Sequence, residues 1–201
     1  MLTPARFDPA AFAPLLAAAL DAGDVAAVQL RLKPADDAQL CRAIDTLRPI
    51  AQARDVAFLV NDRPDLAVSM GCDGAHVGQI DMAVAEARLV LGDALMLGAT
   101  CHASRDLAMR AGEAGADYVA FGAFFPSATK PEAPPCDLDL LRWWSALMTL
   151  PVVAIGGIDA DNCAELVRAG ADFLAVSGAV WGCADGSAAA IRRLNAAIAG
   201  A

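Results

Sequence analysis

Long hydrophobic runs are missing from this sequence, although hydrophobic residues make up 57% of its 201 positions and its mean hydropathy is +0.46. Charged residues or proline interrupt every such run well before the roughly 20 residues that a transmembrane helix needs. The apolar stretch over residues 10–20 contains Pro14 and follows a single basic residue, Arg6. We interpret it as an amphipathic helix rather than a signal peptide, and expect no membrane partner.

Positive charge is also scarce. Asp and Glu number 24 against 15 for Lys and Arg, which gives a net charge of −9 and a pI near 4.5. Nucleic acids and anionic membranes require a positive surface, so we expect neither as a partner. Any anion that this protein binds must be met by a local cluster of basic residues.

Lysine is much rarer than arginine in this sequence, and Lys33 and Lys130 are its only occurrences. An ammonium is compact, and the wide planar fork of arginine does not replace it everywhere. The alternative is chance in an arginine-rich chain. Both lysines lie among other polar residues, and we therefore favour a functional reason.

Paired cysteine motifs are absent as well. The six cysteines contain no Cys-x-x-Cys spacing, which argues against a zinc site and against a disulfide framework. A reducing cytoplasm fits this cysteine usage best.

Short runs of β-branched and apolar residues alternate with helical patterns along the whole chain, which is typical of a parallel sheet covered by helices. Glycine followed within two residues by aspartate recurs before four strands, at Gly23, Gly71, Gly115 and Gly170, as if each glycine ended a helix in a left-handed turn. We predict one α/β domain over residues 1–201, a (β/α)8 TIM barrel. Seven strands are visible, so the first strand is either reduced to residues 1–3 or missing at the N-terminus.

Polar residues follow the strands at the ends where barrel enzymes place their functional groups. In the stretch 28–33, alternation puts Gln29, Arg31 and Lys33 on one face, with the intervening leucines turned towards the helices. Two cations and an amide at the barrel mouth predict a phosphate or pyrophosphate ligand.

Two aspartates, Asp62 and Asp81, follow two successive strands. They could hold one Mg²⁺ between them, since this ion is usually bound by one or two carboxylates and substrate phosphate oxygens. The alternative makes both of them helix N-caps. Because Arg31, Lys33 and Lys130 also follow strands, we favour the metal.

The remaining strand ends offer further candidates. The proline-bounded loop 124–135 carries hydroxyls and Lys130, and is either a lid over an anion or a rigid connector. Glycines after the last two strands allow a phosphate to approach the backbone. His76 lies inside a strand and is interpreted as structural, whereas for His102 an acid–base role and a structural role stay open.

Seven ordered stretches resemble the thiamine phosphate synthase family between about residues 24 and 182. They are QLRLK, VND, HVGQIDM, GATCH, FFPSATKP, VVAIGGI and AGADFLAVSGAV. The resemblance implies a Mg²⁺-dependent transferase of thiamine biosynthesis. Its small-molecule substrates would be 4-amino-2-methyl-5-(diphosphooxymethyl)pyrimidine and thiazole phosphate, joined to thiamine phosphate with release of pyrophosphate.

The resemblance also assigns residues. The pyrimidine diphosphate would be held by Gln29, Leu30, Arg31, Leu32, Lys33 and Asn61, with Thr100 on its phosphates. Asp62 and Asp81 would bind Mg²⁺. Ser127, Ala128, Thr129 and Lys130 would close over the substrates, and Gly157, Ser177 and Gly178 would hold the thiazole phosphate. Arg31, Lys33 and Lys130 would supply the catalytic positive charge.

The chain departs from the family pattern in places: Leu32 stands where a glutamate is usual and Gly178 where a serine is common. Two other functions therefore remain alternatives. One is a thiazole tautomerase of the same fold, which would use His102 and need no metal. The other is a non-catalytic phosphate-ligand-binding homologue. The sequence is compatible with a homo-oligomer.

Overall fold

The computed structural model describes residues 1–126 and 135–201. Seven parallel strands follow one another in chain order in one sheet, and helices alternate with them. The strands are β1 (Ala27–Leu30), β2 (Ala57–Asn61), β3 (Gly74–Val77), β4 (Met96–His102), β5 (Tyr118–Phe121), β6 (Val152–Ile155) and β7 (Phe173–Ala175). The helices are α1 (Pro9–Leu20), α2 (Asp37–Gln52), α3 (Pro64–Ser69), α4 (Val84–Leu91), α5 (Arg105–Glu113), α6 (Leu138–Leu147), α7 (Cys163–Arg168), α8 (Gly178–Trp181) and α9 (Ser187–Ala199).

The hydrophobic core lies between the sheet and the helices. Along each strand, alternate side chains such as Val28, Leu30 and Val60 point outward and are almost fully buried against the helices. Among the positions that face the barrel interior, Gln29 and Asn61 stay partly accessible. The two-residue period of a strand therefore separates the apolar core from an interior that admits polar side chains.

The N-terminal segment occupies the position of the missing strand. Leu2 forms an isolated parallel bridge with Gln29 of β1, and the Gln29 N–H donates to the Met1 carbonyl at 2.8 Å. On its other side, the Leu2 N–H donates to the carbonyl of Val176, just after β7, at 2.8 Å. The (β/α)8 prediction is confirmed. The first strand is reduced to residues 1–3 rather than missing.

The repeated glycines behave as predicted at three of their four positions. Gly71, Gly115 and Gly170 have φ values of 64°, 96° and 99°, the left-handed turn that ends a helix. The prediction is wrong for Gly23, which is not among the glycines with positive φ. A Cβ at Gly23 would lie 2.1 Å from Asn195 Oδ1, so close packing on α9 is the reason for this glycine.

The aspartates of these repeats fix the starts of neighbouring strands. In three of the four repeats the carboxylate accepts the N–H of the residue that begins or nearly begins the preceding strand. The pairs are Asp73 with Phe58 at 2.7 Å, Asp117 with Leu97 at 2.7 Å and Asp172 with Val152 at 2.8 Å. The repeated aspartate thus has a structural cause, because its carboxylate satisfies strand N–H groups at the base of the barrel.

None of the helices in the described ranges combines the length and the apolar character that a membrane crossing needs.

Candidate active site

The ends of β1 and β2 meet through their amide side chains. Gln29 Nε2 donates to Asn61 Oδ1 at 2.8 Å, across the two neighbouring strands. Both side chains face the barrel interior because Leu30 and Val60, beside them, face the helices. The prediction that Gln29 points into the barrel is confirmed by this contact.

Backbone contacts with the N-terminal segment shape the chain after β1. The Arg31 N–H donates to Thr3 Oγ1 at 2.9 Å, and the Lys33 N–H donates to the Ala5 carbonyl at 3.0 Å. The guanidinium of Arg31 forms no ion pair within residues 1–126 and 135–201.

Three charged groups meet where β1 and β2 end. Lys33 Nζ forms an ion pair with Asp62 Oδ2, an oxygen shielded from solvent. Asp62 has φ of 64°, a left-handed conformation that aspartate tolerates better than most residues. Burial raises the pKa of Asp62, contact with Lys33 lowers it, and the neighbouring Asp81 carboxylate raises it again, so that the net shift is upward. The two carboxylates consequently lie close enough to repel each other.

Neither of these aspartates caps a helix. The residue at the N-cap of α3 is Arg63 and that of α4 is Ala83, and no side chain bonds the helix start in either case. Asp81 instead accepts the N–H of Gly78 at 3.1 Å, within its own loop. The helix-cap alternative for Asp62 and Asp81 is therefore wrong.

The paired carboxylates fit a hard divalent cation. No group of three or more metal-ligating side chains occurs in the part of the chain that the structure describes. That is compatible with Mg²⁺, which takes one or two protein carboxylates and fills its other positions with water and phosphate oxygens. Burial is the main cause of the raised pKa of Asp62, and Asp81 adds to it; a cation between the two acids would relieve that second contribution.

Thr100 lies beyond the aspartates, at the end of β4. Its hydroxyl oxygen is 2.7 Å from Nε2 of His76, a buried residue of β3. Its carbonyl accepts Nε2–H of Gln79 at 2.5 Å. The loop that contains Asp81 is thus linked to Thr100 through the side chain of Gln79.

Glycines follow β6 and β7, the first closely packed and the second with open space beside it. Gly157 has φ of 64°, and a Cβ there would lie 2.4 Å from the Pro126 carbonyl. A Cβ on Gly178 would meet nothing within 4 Å. The Ser177 hydroxyl is 3.4 Å from the Thr3 carbonyl, which brings the end of β7 beside the segment that contacts Arg31.

Comparison with known proteins decides the family. The family model for thiamine monophosphate synthase matches residues 1–180. The chain belongs to the thiamine monophosphate synthase family. It is 58% identical over 200 residues to the thiamine-phosphate synthase of Rhodospirillum centenum, which covers 100% of this chain and 97% of that protein. The corresponding enzyme of Hyphomonas neptunium is 49% identical over 201 residues, covering 98% and 91%.

Solved structures agree with the family assignment. The thiamine phosphate pyrophosphorylase of Pyrococcus furiosus superposes with a TM-score of 0.88 at 33% identity, covering 99% of this chain and 94% of that one. A thiamine phosphate pyrophosphorylase from Bacteroides thetaiotaomicron shares the fold at a TM-score of 0.68 and 17% identity. Members of this synthase family are transferases, and the predicted enzyme class is confirmed.

Some residues assigned by resemblance to this synthase family are placed away from the open mouth. The Leu30 side chain is buried among the helices, and Leu32 is packed against the same core cluster. Any contact of Leu30 with a substrate would therefore involve its backbone, whereas the side chain of Leu32 stays partly accessible. Ser127, Ala128, Thr129 and Lys130 lie outside the described residues.

Two positions in the synthase barrel were not found by sequence reasoning. Thr3 contacts the backbone of Arg31, and Tyr118 lies 3.0 Å from Nδ1 of His76 through its hydroxyl oxygen. The inward position of His76, between outward Ala75 and Val77, was readable from strand alternation. His102 lies at the end of β4 with φ of 49°, partly exposed.

Proposed function

We propose that this protein joins 4-amino-2-methyl-5-(diphosphooxymethyl)pyrimidine to thiazole phosphate, forming thiamine phosphate and pyrophosphate. The observation that carries this proposal is the cluster of Lys33, Asp62 and Asp81 at the mouth of a barrel of this family. A cation and two acids in contact suit a ligand that brings both negative oxygens and a bound metal ion.

The diphosphate of the first substrate would lie against Arg31 and Lys33. Asp62 and Asp81 would hold Mg²⁺, which would neutralise charge on the diphosphate oxygens. The guanidinium of Arg31 suits two oxygens at once, whereas the ammonium of Lys33 acts as a compact point charge. Charge-assisted hydrogen bonds of this kind are about twice as strong as neutral ones.

The pyrimidine ring would lie deeper, above the amides of Gln29 and Asn61. Their mutual hydrogen bond uses one donor and one acceptor, and each amide keeps further hydrogen-bonding positions. An aminopyrimidine offers both an amino donor and ring-nitrogen acceptors, which matches this mixed surface. Thr100 would contact the phosphates from the end of β4.

The reaction would proceed by departure of pyrophosphate. The bond between the pyrimidine methylene carbon and the diphosphate oxygen breaks, and the electron pair leaves with pyrophosphate. The pyrimidine stabilises the resulting cation, and the thiazole nitrogen supplies the electron pair for the new carbon–nitrogen bond. Arg31 and Lys33 would favour the step by stabilising the charge on the leaving group, and the barrel would hold both substrates in line. No nucleophilic side chain is needed.

The second substrate would place its phosphate against the backbone at Gly157, Ser177 and Gly178. The open space at Gly178 supports this position, because a phosphate oxygen needs a backbone N–H without an obstructing Cβ. Ser127, Ala128, Thr129 and Lys130 would close over both substrates, and Lys130 would add positive charge. These four assignments rest on the family resemblance alone.

The proposal includes a cytoplasmic location, supported by the chain's free cysteines, which a reducing compartment would maintain. It also treats residues 1–201 as one domain. The groups placed at the mouth all come from one chain, so a homo-oligomer is compatible with the proposal without being required by it.

The test is pyrophosphate release by the purified protein. Release should require the pyrimidine diphosphate, thiazole phosphate and Mg²⁺ together, and should be abolished by EDTA. Turnover that is indifferent to EDTA, or isomerisation of the thiazole alone in a reaction that depends on His102, would favour a tautomerase. Tight binding of both ligands without turnover would identify a non-catalytic homologue.

A further inference from the structure

A polar chain inside the barrel connects the candidate site to a residue that the proposed reaction does not use. Tyr118 is the single tyrosine of the sequence and begins β5. Its hydroxyl oxygen lies 3.0 Å from His76 Nδ1, and His76 Nε2 lies 2.7 Å from Thr100 Oγ1. Three strands thus contribute one residue each to a continuous path that ends at the mouth.

Gly98 makes this path possible. In the register of the sheet, Gly98 of β4 pairs with His76 on one side and with Tyr118 on the other. A Cβ on Gly98 would lie 2.0 Å from Tyr118 Cζ and 2.3 Å from its hydroxyl oxygen. The Tyr118 side chain therefore passes over β4 at Gly98, the one residue of that strand without a side chain. This close contact fixes the position of its ring.

Two neutral arrangements of protons satisfy this geometry. In the first, the Tyr118 hydroxyl donates to Nδ1, and Nε2–H donates to Thr100 Oγ1. In the second, Nδ1–H donates to the tyrosine oxygen, and the Thr100 hydroxyl donates to Nε2. The two arrangements differ at the barrel mouth. Only the first leaves the hydrogen of the Thr100 hydroxyl available to another acceptor.

A diphosphate distinguishes the two arrangements. Its oxygens accept hydrogen bonds and donate none at neutral pH, so a hydroxyl contacts it usefully only as a donor. Burial raises the pKa of Tyr118 well above its usual value, so its hydroxyl keeps its proton and can donate it to Nδ1. The ligand and the phenol consequently favour the same proton arrangement.

We propose that Tyr118 is a positioning residue for Thr100: its hydroxyl, held across Gly98, keeps His76 in the Nε2–H tautomer and so presents the Thr100 hydrogen to a diphosphate oxygen. This inference rests on the proposed function for its ligand. The tautomer itself is a property of the free protein. Tyr118 acts through two other residues and does not touch the substrate.

The tautomer is measured directly by long-range ¹H–¹⁵N spectra of the full-length protein labelled at histidine. The sequence contains two histidines, and His102→Asn, which suits the left-handed backbone at that position, assigns the signals. We expect His76 to carry its proton on Nε2 in the wild type and to lose that preference in Tyr118→Phe. In Gly98→Ala the hydroxyl remains but is displaced, and the same loss is expected.

Kinetics then separates positioning from mere stability. Tyr118→Phe should lower kcat/KM for the pyrimidine diphosphate by roughly tenfold or more, the size of one hydrogen bond to a charged group. In a Thr100→Val background the same change should have no further effect, because the hydroxyl that it positions is gone.

Either of two results would overturn the inference: an Nδ1–H tautomer in the wild type, or effects of Tyr118→Phe and Thr100→Val that are additive. The spectra require no substrate and decide the tautomer even if the wild type releases no pyrophosphate. In that case the proposed function would fail independently.

Discussion

Lys33, three residues beyond the end of β1, forms an ion pair with the buried oxygen of Asp62, and Asp62 in turn lies against the carboxylate of Asp81. One positive and two negative groups thus share one place at the barrel mouth. The protein has a net charge of −9, so the charges of this cluster determine whether an anion can approach the barrel mouth.

Removal of the lysine should affect two ligands in opposite directions. Lys33→Met removes a cation that repels Mg²⁺ and attracts the diphosphate. We expect Mg²⁺ to bind more tightly and inorganic pyrophosphate more weakly, the latter by roughly tenfold or more. Calorimetric titration of each ligand measures both. Lys33→Arg is the matched variant that keeps the charge, and weaker binding of both ligands to Lys33→Met would contradict this role.

Neutralising either acid should weaken the metal site. Asp62→Asn is the suitable change because asparagine accepts the left-handed backbone of φ 64° at nearly the same volume. We expect about 100-fold lower kcat/KM at fixed Mg²⁺ for Asp62→Asn and for Asp81→Asn, because a metal ion contributes several kcal/mol to stabilising charge. Pyrophosphate release at increasing Mg²⁺ is the measurement.

The matched control for the two acids is Asp106→Asn, on an exposed ion pair with Arg110 in α5. This variant should retain wild-type turnover. Equal loss in all three variants would mean that net charge, rather than a metal site, is responsible.

The repeated aspartates at the base of the barrel should matter for stability. Asp117 accepts the Leu97 N–H at 2.7 Å and pairs with Arg88 at 2.5 Å. Asp117→Ala leaves that N–H without a partner and should cost about 1–3 kcal/mol in the free energy of unfolding. Asp117→Asn retains an acceptor oxygen and should cost less. Urea denaturation measures both, with Asp106→Ala as the exposed control, and a loss no larger than that control's would refute the assignment.

The buried thiols predict a decline in stability at alkaline pH. Burial raises the pKa of Cys101 to about 12, and that of Cys72 to about 11, from the ordinary value of 9.0. The unfolded chain therefore releases these protons first, and stability is complete below about pH 9 and falls as pH rises towards 12. Each thiol should contribute about 1.4 kcal/mol per pH unit in that window.

The slope is measured from unfolding free energies between about pH 8 and 11. Cys101→Ala should make this slope smaller, even if the cavity left by the substitution also lowers stability at neutral pH. Cys183→Ala, at a partly exposed position, is the control. Identical slopes in the wild type and Cys101→Ala would show that this thiol is not protected.

Much of the architecture was predictable because it depends on local periodicity. The alternation around Gln29 predicted which side chains enter the barrel, and the glycines at 71, 115 and 170 marked the ends of helices. Asp62 and Asp81 were recognisable as a pair because each follows a strand. Excluding the helix-cap alternative required the structure, in which Arg63 and Ala83 occupy the cap positions.

The polar path inside the barrel was beyond sequence reasoning. It depends on the register that aligns His76, Gly98 and Tyr118 across three strands, and a run of apolar residues does not specify its partner's register. The closure by residues 1–3 was also undetermined, because one bridge and a few hydrogen bonds leave too short a pattern to recognise.

A crystal structure with Mg²⁺, pyrophosphate and thiamine phosphate tests the central claim most directly. We predict the metal ion between Asp62 and Asp81, pyrophosphate on Lys33 and Arg31, and the Thr100 hydroxyl donating to one of its oxygens. Pyrophosphate bound elsewhere on the protein, with Lys33 and Asp62 still paired and no metal between the two acids, would contradict the account.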